Sequence, residues 1–555
     1  VESWHANQVI YQIYPKSFQD SNEDGVGDIQ GIIQRIPYLK SLGITTIWLN
    51  PIYVSPQVDN GYDVSNYYAI DETLGSMADV DLLIKRLHIE GMHLIMDFVM
   101  NHTSDQHPWF KDAIQHPHGL YRDYYLWANA KGDGYPNNWG SFFGGSVWSI
   151  DPGTTDQYYF HLFDRHMPDL NWHNPEVRNS MLEIAKYWIE KGIDGLRLDA
   201  FIHIEKANFN QDVPNDSNKP VIAEEFYAHL PRVQTYLKQF CAQLRAIKPD
   251  IFILGEAASA SPELLMEYSR PVNGECDAVI TFKSLVDKVE NPDIKLPTTF
   301  QLKQLDIEGM KRQLATIETK LADVSLPVLY WSNHDMARLA SRYASKCYRL
   351  QSLKCLATML YLQRGIPIIY YGEEIGMQNL SQEQPIDFCD QTVIEFYKQA
   401  LKQGYSHDDT MRMLNHTHKI PARGGMQWDL QQTNAGFSEH VPWLDGTTIA
   451  VDVATEQTDP HSLLSYYRTL IKLKKTELFT DGIEIIENTT KGVFQFTRQL
   501  GRSVAVVTCN LTDQSLDIPQ IPAAHLQMVE GEVQPSGDMM TYEPWAFTIK
   551  HVLEE

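Results

Sequence analysis

The sequence predicts an α/β protein built on a (β/α)8 barrel, with an inserted subdomain after the third strand and an antiparallel β domain at the C-terminus. Three observations carry this. Eight short apolar runs rich in β-branched residues alternate with longer amphipathic runs along most of the 555 residues. A long irregular stretch, rich in Gly, Pro, Asp and aromatics, interrupts the alternation after the third strand. From about residue 481 the pattern changes to strand-like runs separated by turns.

The candidate strands are 9–14, 45–49, 93–98, 195–199, 251–255, 278–282, 328–331 and 366–370. Each is short, apolar and bounded by turn residues, as a fully buried parallel strand should be. The helical patterns between them include 29–42, 77–90, 179–191, 230–247 and 307–321. The barrel then takes residues 1–100 and 172–480, and the insertion takes 101–171. A second excursion, 378–437, follows the eighth strand and contains a helical part at 391–404. Runs 492–497 and 503–508 begin a small β-sandwich over 481–555.

Composition removes several classes of function. A net charge of −25 would repel nucleic-acid phosphates. No apolar window approaches the length that spans a bilayer, so no membrane association is expected. The opening Val1-Glu2-Ser3-Trp4-His5 has no basic region leading into an apolar one, so no signal peptide is expected there. Six cysteines without a CxxC pair suit reduced thiols and a cytoplasmic location better than disulfides or zinc. The chain is expected to act as a monomer or homodimer on a small ligand.

Chemistry concentrates where strands end. The run Gly195-Leu196-Arg197-Leu198-Asp199 finishes on Arg and Asp, Ile253-Leu254-Gly255 leads to Glu256, and the seventh strand leads to His334-Asp335. Parallel strands would gather these three carboxylates at one rim. Two carboxylates flanking a glycosidic bond are the minimum apparatus for glycoside hydrolysis. A different signal lies in Asp20-Ser21-Asn22-Glu23-Asp24-Gly25-Val26-Gly27-Asp28, with oxygen side chains at alternate positions and a Gly at the sixth. That spacing is similar to a calcium loop, although Gly31 stands where an EF-hand needs its final Glu.

Taken together these motifs resemble the α-amylase superfamily (glycoside hydrolase family 13), and within it the oligo-1,6-glucosidase and α-glucosidase branch. The resemblance runs from Trp4 to about Leu473. It implies Asp199 as nucleophile, Glu256 as general acid/base and Asp335 as the third carboxylate. Arg197 would keep Asp199 ionised by lowering its pKa. The resemblance also implies that His102, after Asp97, and His334 hydrogen-bond the sugar. Tyr62 would stack on the terminal glucose and Asp59 would bind a far hydroxyl. Arg423 would close the pocket floor with Asp59, giving exo-action. Calcium would bind as a structural ion through Asp20, Asn22, Asp24, Asp28 and the carbonyl of Val26.

Ala200 stands where members acting on α-1,6 links usually carry Val, and resembles members that prefer α-1,4 links. The leading expectation is therefore a retaining, exo-acting α-glucosidase on maltose and malto-oligosaccharides. The alternatives are an oligo-1,6-glucosidase or dextran glucosidase, or a trehalose-6-phosphate hydrolase. A non-catalytic glucan-binding or transporter-ancillary relative is disfavoured by the three carboxylates.

Overall fold

The computed structural model describes residues 3–154, 156–522 and 524–553. Val1 and Glu2 of the opening run therefore lie outside the described residues. Eight parallel strands form the central sheet: β1 (Ile10–Ile13), β2 (Thr46–Leu49), β3 (His93–Val99), β4 (Gly195–Asp199), β5 (Phe252–Glu256), β6 (Ala278–Ile280), β7 (Val328–Leu329) and β8 (Ile366–Tyr370). They are bonded in the order β6-β5-β4-β3-β2-β1-β8-β7. Among the described residues no ladder joins β6 to β7. Instead Tyr330, just past β7, crosses the seam and donates its hydroxyl to the Thr281 carbonyl at 2.6 Å. The barrel is thus nearly, not fully, closed.

Strand alternation decides what fills the barrel. Ile10, Trp48, Ile95, Phe252 and Ile368 belong to one interior cluster. The same parity further along each strand turns Asp97, Arg197 and Glu256 inward. β4 continues the pattern from Gly195 through Arg197 to Asp199. A side chain at Gly195 would meet the Phe252 carbonyl at 2.7 Å, so this layer needs glycine.

The helices follow their sequence signals. Ser76 and Asp79 form a capping box at the start of Met77–Ile89. Asn174 caps Pro175–Lys191, which Gly192 ends at a φ of 109°. The single helix expected over 29–42 is two, Ile29–Gln34 and Ile36–Leu42. Pro37 has no N–H for the Ile33 carbonyl, and Arg35 breaks the helix at φ −99°, ψ 3°.

Between β3 and β4 lies a three-stranded antiparallel sheet (Trp127–Asn129, Trp148–Ile150 and Gln157–Phe160) with its own aromatic cluster. After β8 the chain makes two helices, Gln391–Lys402 and His407–Thr417, before returning to the barrel. Two antiparallel sheets, of five and three strands, complete the C-terminal part.

Arg498 ties that part to the barrel. It is fully buried on the strand Val493–Leu500. Its guanidinium donates to the carbonyls of Leu362 (2.8 Å), Phe479 (2.9 Å) and Gly482 (2.7 Å). Arg498→Met would keep the stem and strip these acceptors of their donor. A loss of about 1–3 kcal/mol is expected, the range for leaving a buried acceptor unsatisfied. Thermal and denaturant unfolding would measure it, and an unchanged stability would show that packing alone holds the junction.

Candidate active site

Arg197 sits at the centre of the rim and is fully buried. Its Nη1 donates to Asp97 Oδ1 at 2.9 Å and to Asp199 Oδ1 at 2.6 Å, and its Nη2 lies 3.2 Å from Glu256 Oε2. One guanidinium therefore touches three carboxylates from three adjacent strands. Trp48 lies beside it, with the ring centre 4.9 Å from the guanidinium carbon. Glu256 is held a second time, because the Ala200 N–H donates to its Oε2 at 2.9 Å.

Arg197 does lower the Asp199 pKa, as expected, but it does not set the outcome. Burial first, and then the Glu256 carboxylate, push the Asp199 carboxyl well up, and Arg197 only opposes them. Asp97 is fixed structurally. Its Oδ2 accepts from Tyr62 (2.8 Å), Trp48 (3.2 Å) and Asn50 (3.3 Å).

The third carboxylate, Asp335, lies across the rim and is partly open, with 26% of its side chain exposed. His334 Nε2 is 3.4 Å away, Arg423 Nη2 3.7 Å and Lys419 Nζ 4.0 Å. Burial alone would raise its carboxyl. The neighbours, His334 first and then Lys419 and Arg423, outweigh burial and hold it well below the usual carboxylate range. His334 is itself buried, stacks on Tyr62 at 5.3 Å and bonds the Tyr62 hydroxyl at 2.7 Å. Burial pushes its imidazole down to about 3, and that of His102 to about 4, so both are neutral near pH 7.

The remaining expected residues fall around this centre with some changes of partner. His102 is buried against the Tyr62 carbonyl (3.2 Å) and the Phe163 ring (5.3 Å). Arg423 donates to the His334 carbonyl from Nε (2.9 Å) and Nη2 (2.7 Å). It reaches Asp335 in place of the expected Asp59, and influences Asp59 only through its charge. Asp59 stands in the tight turn that the Asn60-Gly61 pair signals, with φ of 50° and 104° at those residues. Burial pushes its carboxyl up to about 6.

Sequence reading missed several members of this surround. Lys206 Nζ is buried 2.7 Å from Asp169 Oδ2 and donates to Asn101 Oδ1 at 3.1 Å, locking the insertion to the loop after β4. Gln12 holds His334 Nδ1 at 2.9 Å. Gln12 carried a legible signal, a polar residue inside an apolar strand. Lys206 carried none beyond lying seven residues after Asp199.

The Asp20–Asp28 loop lies elsewhere, against the excursion after β8. Asp20 accepts from the backbone N–H of Asn22 (3.1 Å), Glu23 (3.0 Å) and Gly25 (2.8 Å), and from Ser438 Oγ (2.6 Å). Asp24 accepts from the Val26 N–H at 2.9 Å. The Asn22 side-chain nitrogen is placed to donate to Asp20 Oδ1 at 2.9 Å and to Asp24 Oδ1 at 3.0 Å, and turning the amide over would present its oxygen between the two carboxylates instead. That donor set suits a small hard cation. Asp28 is the poorer fit. It caps the helix Ile29–Gln34 by accepting from Gly31 (2.7 Å), and it accepts from Ser21 Oγ (2.7 Å). Among the described residues no group of three His, Cys, Asp or Glu side chains converges on a metal position.

Comparison with known proteins agrees with this geometry. The alpha amylase catalytic-domain family model matches residues 12–482. An oligo-1,6-glucosidase of Halalkalibacterium halodurans is 37% identical over 520 residues, covering 93% of this chain and 91% of its own. A solved structure described as a family GH13_31 enzyme is 50% identical, with a TM-score of 0.92 and full coverage of both chains. Another, trehalose-6-phosphate hydrolase of Bacillus licheniformis, is 33% identical with a TM-score of 0.90, again over the whole of both chains.

Ala200 generates a test of its own. Its φ of 49° and ψ of 30° are left-handed, and this conformation aims its N–H at Glu256. A β-branched side chain is costly there. Ala200→Val is expected to lower stability by about 1–2 kcal/mol, and Ala200→Gly to leave it unchanged or raise it. Equal melting of all three proteins would show that the turn relaxes freely.

Proposed function

The chain belongs to the alpha-amylase family, glycoside hydrolase family 13, and on that premise we propose that it hydrolyses α-1,6 links at the non-reducing ends of short isomalto-oligosaccharides. It is a glycoside hydrolase with exo-glucosidase action on α-glucosides. The observation that carries the mechanism is the one guanidinium shared by Asp199 and Glu256. Asp199 attacks the anomeric carbon while Glu256 protonates the glycosidic oxygen. Arg197 stands closer to Asp199, at 2.6 Å against 3.2 Å, so its charge acts most directly on the group that must attack as the anion, against the burial that pushes that carboxyl up. Glu256 Oε2 already accepts from the Ala200 N–H, which leaves Oε1 for the glycosidic oxygen. Water then opens the glycosyl-enzyme with Glu256 as base, and two inversions return the α-anomer. Asp335 and Asp59 bind hydroxyls of the terminal glucose, while neutral His102 and His334, whose ring nitrogens are held by Tyr62 and, for His334, also by Gln12, shape the wall of the site without titrating near neutral pH.

The α-1,6 preference is supported by the oligo-1,6-glucosidase of Halalkalibacterium halodurans. It replaces the α-1,4 preference expected from Ala200. A small residue at that position also answers to the left-handed backbone, so its size says less about the substrate. Ala200 is nevertheless bonded to Glu256 through its N–H, and a small residue there favours α-1,4 cleavage as the second reading. Reduced thiols fit all six cysteines, none of which is bridged, and support a reducing compartment. Among the described residues no helix is long and apolar enough to cross a membrane.

A substrate panel tests this directly. Isomaltose is expected to give about 10-fold higher kcat/KM than maltose, the scale on which a single pocket contact discriminates. The first glucose released should be α by proton NMR. A maltose preference would restore the second reading, trehalose 6-phosphate as best substrate would displace both, and β-glucose would overturn the retaining mechanism.

We also propose that Asp20, Asn22 and Asp24, with the Val26 carbonyl, hold a structural calcium ion. EDTA is then expected to lower the melting temperature, calcium to restore it, and the rate per folded molecule to stay unchanged. No shift in melting would mean that the hydrogen bonds to Asp20 close the loop without an ion.

A further inference from the structure

Lys419 precedes the short turn Ile420–Arg423, so the segment that delivers Arg423 also delivers a second cation. Its ammonium lies 4.0 Å from Asp335 Oδ1 and 5.0 Å from the centre of the Phe143 ring. Phe143 comes from the insertion between β3 and β4, and packs on Phe163, which packs on His102. Lys419 therefore spans two walls of the site, with a carboxylate on one side and an aromatic face on the other. At these distances its three N–H groups are not consumed by either partner, and 28% of the side chain remains open.

The charge it carries matters to a second group. The charges of Lys419 and Arg423 favour the Asp59 anion, and those of Asp63 and Asp335 disfavour it. Burial is the largest influence and favours the acid; Lys419 leads the opposition. An aspartate that must accept a sugar hydroxyl is useful only as the anion.

We propose that Lys419 is a positioning residue of this enzyme, whose ammonium, steadied over Phe143, keeps Asp335 and Asp59 as anions turned toward the terminal glucose. This rests on the reading that those two aspartates bind the sugar. A lysine serving only to join the two walls would stabilise the protein without touching its response to pH, and that difference makes the idea testable.

The sign is fixed by which form works. Asp59 must be ionised, and its carboxyl stands near about 6, so kcat/KM falls as pH drops through that region. Removing a neighbouring cation favours the acid further and moves the fall to higher pH. Lys419→Met is expected to raise KM about 10-fold with little change in kcat, and to move the acid limb of kcat/KM up by about 0.5–1 pH unit. Lys419→Arg should recover both. Phe143→Leu, which keeps the charge but removes the ring beneath it, should raise KM less and move the limb the same way. It serves as the reporter if the Met variant does not fold. A Lys419→Met enzyme with the wild-type acid limb and KM would overturn the proposal. Asp59→Asn separates the two ideas. If it leaves KM unchanged, the sugar-binding role of Asp59 fails. If it raises KM while Lys419→Met matches wild type, only the role of Lys419 fails.

Discussion

A positive charge buried without water must be matched at once, and the centre of this protein is organised by that requirement. The Arg197 guanidinium has no exposed surface and meets Asp97, Asp199 and Glu256 within 3.2 Å. Leaving any buried ion unpaired costs several kcal/mol, so each partner constrains the others. Asp97 is in turn saturated by Tyr62, Trp48 and Asn50. The result is a network with little freedom at its base and two carboxylates presented at its top. Catalytic power in glycosidases comes from such preorganisation, since charge develops at a fixed point between fixed groups.

The barrel makes this arrangement possible by simple alternation. Three neighbouring strands in register bring Asp97 beside Arg197, and Arg197 beside the strand that ends in Glu256. The residues proposed to recognise the sugar arrive from outside the sheet. Tyr62 and Asp59 come from the turn after β2, Phe143 and Phe163 from the insertion, and Arg423 and Lys419 from the excursion after β8. Chemistry is placed by strands and recognition by loops, which is why the reaction class is easier to assign than the linkage.

The same division explains what could be read in advance. Each barrel strand announces itself by composition, and each catalytic carboxylate by closing an apolar run, so Asp199, Glu256 and Asp335 stand out locally. The contact between Lys206 and Asp169 does not, because it joins residues 37 positions apart through loops without a period. The break at Arg35 was visible in Pro37 but was outweighed by the apolar spacing around it. Nor does a sequence show that Ala200 is left-handed, or that burial outweighs Arg197 in setting the protonation of Asp199. Both depend on how neighbouring strands and loops converge.

The seam between β6 and β7 distributes stiffness unevenly around the rim. Asp199 and Glu256 ride on strands bonded to each other, so their separation is set by backbone geometry. Asp335 follows β7, which is bonded to β8 on one side and meets β6 across the seam through Tyr330. Backbone hydrogen bonds therefore tie the proposed reacting pair to each other more directly than they tie either member to Asp335. An enzyme so constructed can tolerate variation in its sugar-binding wall, or in the substrates that wall admits, while the distance on which bond cleavage depends stays constant.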